Sequence, residues 1–232
     1  MIAVFVNAGA VIIGSLLGIL LGNRLNETLR NALMTVMGLC TAVIALSSAL
    51  ATNNILCIII SLALGTLLGE LLRIDDRIEN AGERLKKLAA GKGKGSDTFT
   101  EGFVTASLLF CIGSMTIMGS FEAGIHQNYS IIFAKSIIDF ISAMAFSSVM
   151  GIGVACSAFF VVLFQGALTL IAMQFGSVLS ETVITEMSAA GGVILMGMAI
   201  NMLSLRQERI KVANMLPGIF LPILYLFITG LF

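Results

Sequence analysis

Eight stretches of about 20 mostly apolar residues divide this chain, at 2–22, 31–51, 54–73, 102–121, 131–151, 154–174, 187–205 and 213–231. A helix of about that length reaches across the roughly 30 Å hydrocarbon core of a bilayer. Hydrocarbon also forces a backbone to satisfy its own hydrogen bonds, as helices or closed barrels. Only 11% of the 232 residues are charged and the mean hydropathy is +1.04, whereas a soluble domain carries roughly 25% charged residues. The pattern implies an all-α, polytopic membrane protein, a single membrane domain over 1–232 with the lipid bilayer as its principal partner. The first run lacks a basic segment ahead of its apolar stretch, so it reads as a retained span rather than a signal peptide.

Charge placement sets the expected orientation. Twelve of the 13 Lys and Arg residues fall in the connections after the first, third and seventh spans, and none in the connections of the opposite side. Basic residues mark the cytoplasmic side, so both termini are expected outside and segment 74–101 in the cytoplasm. The formal charge of zero excludes bulk nucleic-acid binding.

The basic connection opens as RIDDRIENAGERLKKL, with Ile74, Ile78, Ala81, Leu85 and Leu88 at helical spacing. Three readings stand: a helix on the membrane surface, a helix paired with a partner, or a continuation of the third span. AAGKGKGSDT follows as a tether.

IGSLLGILL at 13–21 and LGTLLGELL at 64–72 repeat one pattern. Gly14, Gly18 and Gly22, with Gly65 and Gly69, recur every four residues, which makes a small-residue ridge for close helix packing and a candidate dimer interface.

Against this apolar background Asp139 stands eight residues into the fifth span, with Lys135 one turn before it. A charge near the bilayer centre costs about 3 kcal/mol even on lenient insertion scales. Gln165, Asn201 and the pair Gly113-Ser114 come out near mid-depth in the sixth, seventh and fourth spans. Asp139 has two open readings: a structural ion pair with Lys135, or part of a polar substrate or ion site. Gly113-Ser114 and Gly119-Ser120 interrupt the fourth span as the broken helices of transporters do, although small residues also serve close packing. Pro217 is expected to kink the eighth span, and Asn214 to cap it.

Other chemistries are excluded by what is missing. Glu122 and His126 make one E-x-x-x-H pair, too few ligands for a zinc site. No G-x-S-x-G elbow and no Walker A segment occurs. Cys40, Cys57, Cys111 and Cys156 lack metal or redox spacing. No enzymatic activity, no cofactor and no metal are therefore expected.

The ordered segments GSMTIMGSFEAG, AKSIIDF, GIGVACSA, FQGALTL, AAGGVILMGMAINML and IKVANMLP, with GTLLGELLRIDDRIENAG ahead of them, resemble the YqgA/YdfK-like bacterial membrane proteins, domain of unknown function 554. The resemblance implies a multi-pass bacterial inner-membrane protein suspected of transport. Its pattern departs from the family at Ala199-Ile200-Asn201, where Gly-Leu-Asn is expected. Taken together, the residues favour a secondary transporter of a small polar or ionic solute, coupled through Asp139 and working as a homodimer. The alternatives are an oligomeric channel, or a scaffold or sensor that recruits a partner through residues 74–95.

Overall fold

A computed structural model describes residues 1–22, 24–89, 98–175 and 180–230. The side chains of residues 87–89, Ser114 and Phe175 lie outside that description, as does most of the tether expected after the amphipathic segment. Ten α-helices follow in order: α1 (Ile2–Gly22), α2 (Glu27–Ala49), α3 (Ile55–Leu72), α4 (Ile74–Ala89), α5 (Phe99–Cys111), α6 (Ser114–Ile125), α7 (Ser130–Met150), α8 (Gly153–Phe175), α9 (Glu181–Met202) and α10 (Leu221–Thr229). A 3-10 segment, Val212–Ile219, precedes α10. Among the described residues there is no strand.

Short polar side chains start several helices where apolar periodicity alone gives no edge. Asn26 Oδ1 accepts from Leu29 N at 2.8 Å, Asn54 Oδ1 from Cys57 N at 3.2 Å, and Ser180 Oγ from Val183 N at 3.4 Å. Each satisfies an orphan amide of a first turn. α9 accordingly starts at Glu181, six residues ahead of the expected span. Glu186, one residue ahead of the expected span, is fully buried inside that helix. It accepts from Thr52 Oγ1 at 2.6 Å, Asn53 N at 2.8 Å and Asn54 N at 3.1 Å, and so ties the α2–α3 turn to α9.

The glycines set how the helices pair. Gly14, Gly18 and Gly22 face Phe140, Met144 and Ser148 in turn, so α1 and α7 run parallel in close backbone contact. Gly65 and Gly69 face Gly218 and Asn214, so α3 runs antiparallel to the 3-10 segment. Gly192 meets Ala45–Ala49 while Gly38 meets Met202 and Leu203, which makes α2 and α9 antiparallel. Both repeated ridges are thus occupied within the chain. The dimer contact expected on Gly14, Gly18, Gly22, Gly65 and Gly69 is not available there.

Seven segments are each long and apolar enough to cross a membrane, and α5 and α6, bent by 55° at their junction, make an eighth candidate. Their packing is that of a single broken span. Gly153 at the start of α8 meets Phe99 at the start of α5, while Gly124 near the end of α6 meets Thr169 and Ala172 near the end of α8. The broken pair therefore covers the same height as α8 alone. An odd number of crossings between α1 and α7 is also what their parallel pairing requires.

The last crossing is broken too. Pro217 lies inside the 3-10 segment, and Pro222 lies in the first turn of α10, where a missing amide donor is tolerated. α9 is the hub: 72% of its apolar window is buried, against 28% for α2 and α3. Large apolar side chains such as Leu39, Leu67 and Ile228 point away from the bundle, the arrangement expected where acyl chains are the solvent.

α4 is not a straight continuation of α3. Arg73 takes a left-handed conformation, φ 50°, and turns the chain. The stripe residues Ile74, Ile78 and Leu85 then pack on the protein's own core, beside α5 and the 3-10 segment; Ala81 is exposed, and the side chain of Leu88 lies outside the described residues. Most of the expected partner-facing stripe is thereby covered within the chain. Asn214 caps α4 rather than its own segment: its Oδ1 accepts from Asp75 N at 2.7 Å, and Asp75 Oδ1 accepts from Ala213 N at 3.3 Å. Arg209 approaches Asp75 and Glu79 at 3.6 and 3.8 Å, and Lys211 approaches Asp76 at 3.5 Å.

A side chain added at Gly18 would run into Met144 O and Ser147 Oγ, whereas one at Gly9 meets open space. Gly18→Val is expected to destabilise the protein by about 1–3 kcal/mol or more and to lose its monodisperse profile on heating in detergent. Gly9→Ala should melt like the wild type in the same size-exclusion assay.

Candidate functional site

Asp139 is the tenth residue of α7, midway through its crossing. Burial leaves it 5% exposed, and Lys135 likewise, yet neither is isolated. Lys135 Nζ donates to Asp139 Oδ2 one helical turn away, and also lies 5.9 Å from the centroid of the Phe110 ring, within cation–π range. The same carboxylate oxygen accepts from Asn7 Nδ2 at 3.0 Å. Asn7 Nδ2 donates in turn to Gln165 Oε1 at 3.1 Å. Three crossings, α1, α7 and α8, thus meet at one charged, hydrogen-bonded point.

The set is not saturated. Asn7 Oδ1 and Gln165 Nε2 are buried without a partner among the described residues. An orphaned buried amide group costs about 1–3 kcal/mol. This point of the bundle therefore keeps one acceptor and one donor in reserve.

Beside it the α5–α6 junction opens a cavity of about 220 Å3. Its polar wall is Lys135, Asp139, Ser142, Thr116 and Ser48, and Leu195 and Phe110 form part of its apolar wall. The junction exists because Ile112 and Gly113 leave the helical path: both are extended, Gly113 with φ −173° and ψ 152°. Thr116 Oγ1 donates to Phe110 O at 2.9 Å and so recovers one carbonyl freed by the break. A break in hydrocarbon is tolerated only where it is buried in protein or lines a wet cavity. Here it lines the one that holds the ion pair.

Of the residues singled out by sequence, the structure brings together Lys135, Asp139, Gln165 and Gly113. It places the others elsewhere. Asn201 clamps the backbone of Ile210, donating to Ile210 O and accepting from Ile210 N, both at 2.8 Å. Gly119 packs α6 against Ile131 and Ile132. Ser120 is buried without a partner, on α6 beyond the cavity wall. The Ser114 side chain lies outside the described residues. Asn7 and Thr116 are the residues that sequence reasoning missed. Asn7 had a signal, the only amide inside the first apolar run, but its partners are 132 and 158 residues away.

The family model described as a protein of unknown function, DUF554, matches residues 2–227. The chain belongs to this family. Among DUF554 relatives, the uncharacterized membrane protein YdfK of Bacillus subtilis (strain 168) is 28% identical over 232 residues, covering 97% of this chain and 96% of its own. The uncharacterized protein YqgA of Escherichia coli (strain K12) is 28% identical over 219 residues, covering 94% of this chain and 92% of its own. No solved structure matches the chain. The seven to eight segments long and apolar enough to cross a membrane, together with the name carried by YdfK, mark this DUF554 chain as a membrane protein.

Removing one partner of a buried ion pair costs about 3–5 kcal/mol, while replacing both by apolar residues is often neutral. Lys135→Met is therefore expected to lower stability more than the double replacement Lys135→Met with Asp139→Leu. Thermal melts of the three proteins in detergent check it. A double variant that melts below the single one would mean that the pair itself holds the bundle.

Proposed function

We propose that this protein is a secondary transporter of a small polar or ionic solute, in a bacterial inner membrane, with Asp139 as its coupling carboxylate. The reading rests on one observation: a carboxylate at mid-membrane, held by Lys135 and Asn7, forms the wall of a 220 Å3 cavity at a broken crossing. An ionisable group inside a membrane is expensive and usually faces a pathway. A purely structural pair needs neither a cavity nor an interrupted helix beside it. Lys135 acts as a tethered cation: it neutralises Asp139 while the site is empty, and a proton or cation arriving at the carboxylate displaces it. Asn7 and Gln165, on helices packed against α7, sense which state the carboxylate is in. No step needs an enzyme's covalent chemistry, and none needs a cofactor.

The positive-inside rule orients the reading. The alternating crossings bring Arg24, Arg30, Arg73 and Arg206 to one end of the bundle, with α4, and this end faces the cytoplasm. Both termini then face outside. A homodimer remains part of the reading for a chain of this size, through a surface other than the glycine ridges.

Two measurements test the assignment. Purified wild type and Asp139→Asn are melted in sodium, potassium and lithium chloride against choline chloride, across pH, and with a panel of small carboxylates and amino acids. A solute bound only by the folded protein at a hundredfold excess over Kd adds about 2.7 kcal/mol of stability; the variant should lose that shift. Uptake of the same radiolabelled solute into proteoliposomes should fall to background with Asp139→Asn while the variant stays monodisperse. Unchanged uptake would remove Asp139 from the mechanism.

A further inference from the structure

Three cavities are strung along one face of α9. The central one is that of Asp139, with Leu195 in its wall. Toward the start of α9 lies a chamber of about 580 Å3 whose polar wall includes Ser47, Ser48, Glu181, Thr185 and Ser188. Toward its end lies one of about 410 Å3 whose wall includes Thr105, Asn201, Arg206 and Arg209. Ser188, Leu195, Met198 and Met202 follow one another at spacings of seven, three and four, which keeps them on one helical stripe. A single face of the most enclosed helix thus passes all three spaces.

The two ends do not communicate with the centre equally. Ile44 and Ser48 line both the first chamber and the Asp139 cavity, so the two spaces share a wall. The central cavity and the last chamber share no lining residue. Between them stand Leu108, Leu195 and Met198, buried at 1%, 1% and 2% exposure in one apolar cluster. This septum leans on α5, which ends at the break beside Gly113. The first chamber carries Glu181 and the hydroxyls of Ser47, Ser48, Thr185 and Ser188 beside the apolar Val43, Ile44 and Ile184, so polar groups run along one side of an otherwise apolar wall.

We propose that the α9 face is the solute's route: the 580 Å3 chamber is the extracellular vestibule, continuous with the Asp139 site past Ile44 and Ser48, and the Leu108–Leu195–Met198 septum is the closed cytoplasmic gate. The route deepens the transporter reading and rests on it. It assigns Ser48 and Ile44 to solute selection on the way in. It also gives Asn201 a place, in the wall of the cytoplasmic vestibule rather than at the binding site. A polar solute of a few heavy atoms fits the central volume, and an open channel does not fit a path closed on one side.

Thiol accessibility tests the route without requiring any flux. Thr185→Cys, Ser188→Cys and Thr105→Cys are each treated with a charged, membrane-impermeant methanethiosulfonate, in intact spheroplasts and in inside-out vesicles. The native cysteines are kept and the labelled site is read by peptide mass spectrometry. Thr185→Cys and Ser188→Cys should react at least tenfold faster from outside, and Thr105→Cys from inside. Leu195→Ala combined with Thr105→Cys should make position 105 reactive from both sides. The route is overturned if neither outer position reacts, which would mean a lipid-filled groove, or if the sidedness is reversed. It is equally overturned if Leu195→Ala leaves position 105 closed to the outside. Thr185→Cys and Ser188→Cys report on one chamber, so misfolding of either leaves the other to decide. A correct labelling pattern with undiminished uptake by Asp139→Asn would defeat the coupling role and leave the route standing.

Discussion

The backbone contact between α1 and α7 is the constraint on which the rest of the arrangement depends. Gly14, Gly18 and Gly22 let α1 lie against the carbonyls of Phe140, Met144 and Ser148, closer than any side chain permits. That closeness carries Asn7 to Asp139 and Gln165. With an ordinary apolar residue at Gly18 the helices would separate, and a 3.0 Å hydrogen bond does not survive a shift of even an ångström or so. In lipid such packing also has to supply association energy that the hydrophobic effect supplies in water. The small residues therefore do two jobs at once. They join the helices, and they fix the distance at which polar groups can meet.

The second constraint is the absence of water. Among the described residues each buried carboxylate has hydrogen-bond partners, whereas the hydroxyls of Ser15, Ser107 and Ser120 have none. Glu186 accepts three bonds and simply fastens the α2–α3 turn. Asp75 and Asn214 exchange bonds with backbone amides and fasten α4 to the 3-10 segment. Asp139 differs from both. It lines a cavity, and one of its partners, Asn7, holds an unused acceptor. A fully satisfied network specifies one structure, and a partly satisfied one leaves room for another state. Of the buried carboxylates at 75, 139 and 186, only Asp139 sits in a setting that can change.

How much of this was legible beforehand follows from the range of the interactions involved. The crossings were legible because apolar run length is a local property; some edges slipped where a cap decided them, as at Ser180 and α9, and others without one, as at the start of α5. The Lys135–Asp139 pair was legible because four-residue spacing is also local. Asn7 was not, since nothing in residues 1–22 says which helix will lie beside it. The glycine ridges announced close packing correctly but not their partner, and α7 and the 3-10 segment took the place expected for a second copy. Asn201 and Asn214 looked like candidates for a site or a cap at their own positions. Each instead serves a segment brought to it by the fold: Ile210 for one, the first turn of α4 for the other.

The ends of the α9 route are held by interactions of unequal strength, and this bears on which end moves. The surface ion pairs of Arg209 and Lys211 near the septum involve basic groups 41% and 52% exposed. Pairs of that kind contribute about 0–1 kcal/mol. The outer turn, by contrast, is fixed by the buried Glu186 and its three donors, and a hydrogen bond to a charged group is worth about 1.5–3 kcal/mol. In the proposed route, opening the cytoplasmic side means moving α5, while α4 stays fastened to the 3-10 segment through Asp75 and Asn214. The break at Ile112–Gly113 provides a place for α5 to bend without dragging α6, which stays packed on α8 at Gly124. In the proposed route, the turn held by Glu186 and the break beside Gly113 are complementary parts of one device, with the septum between them.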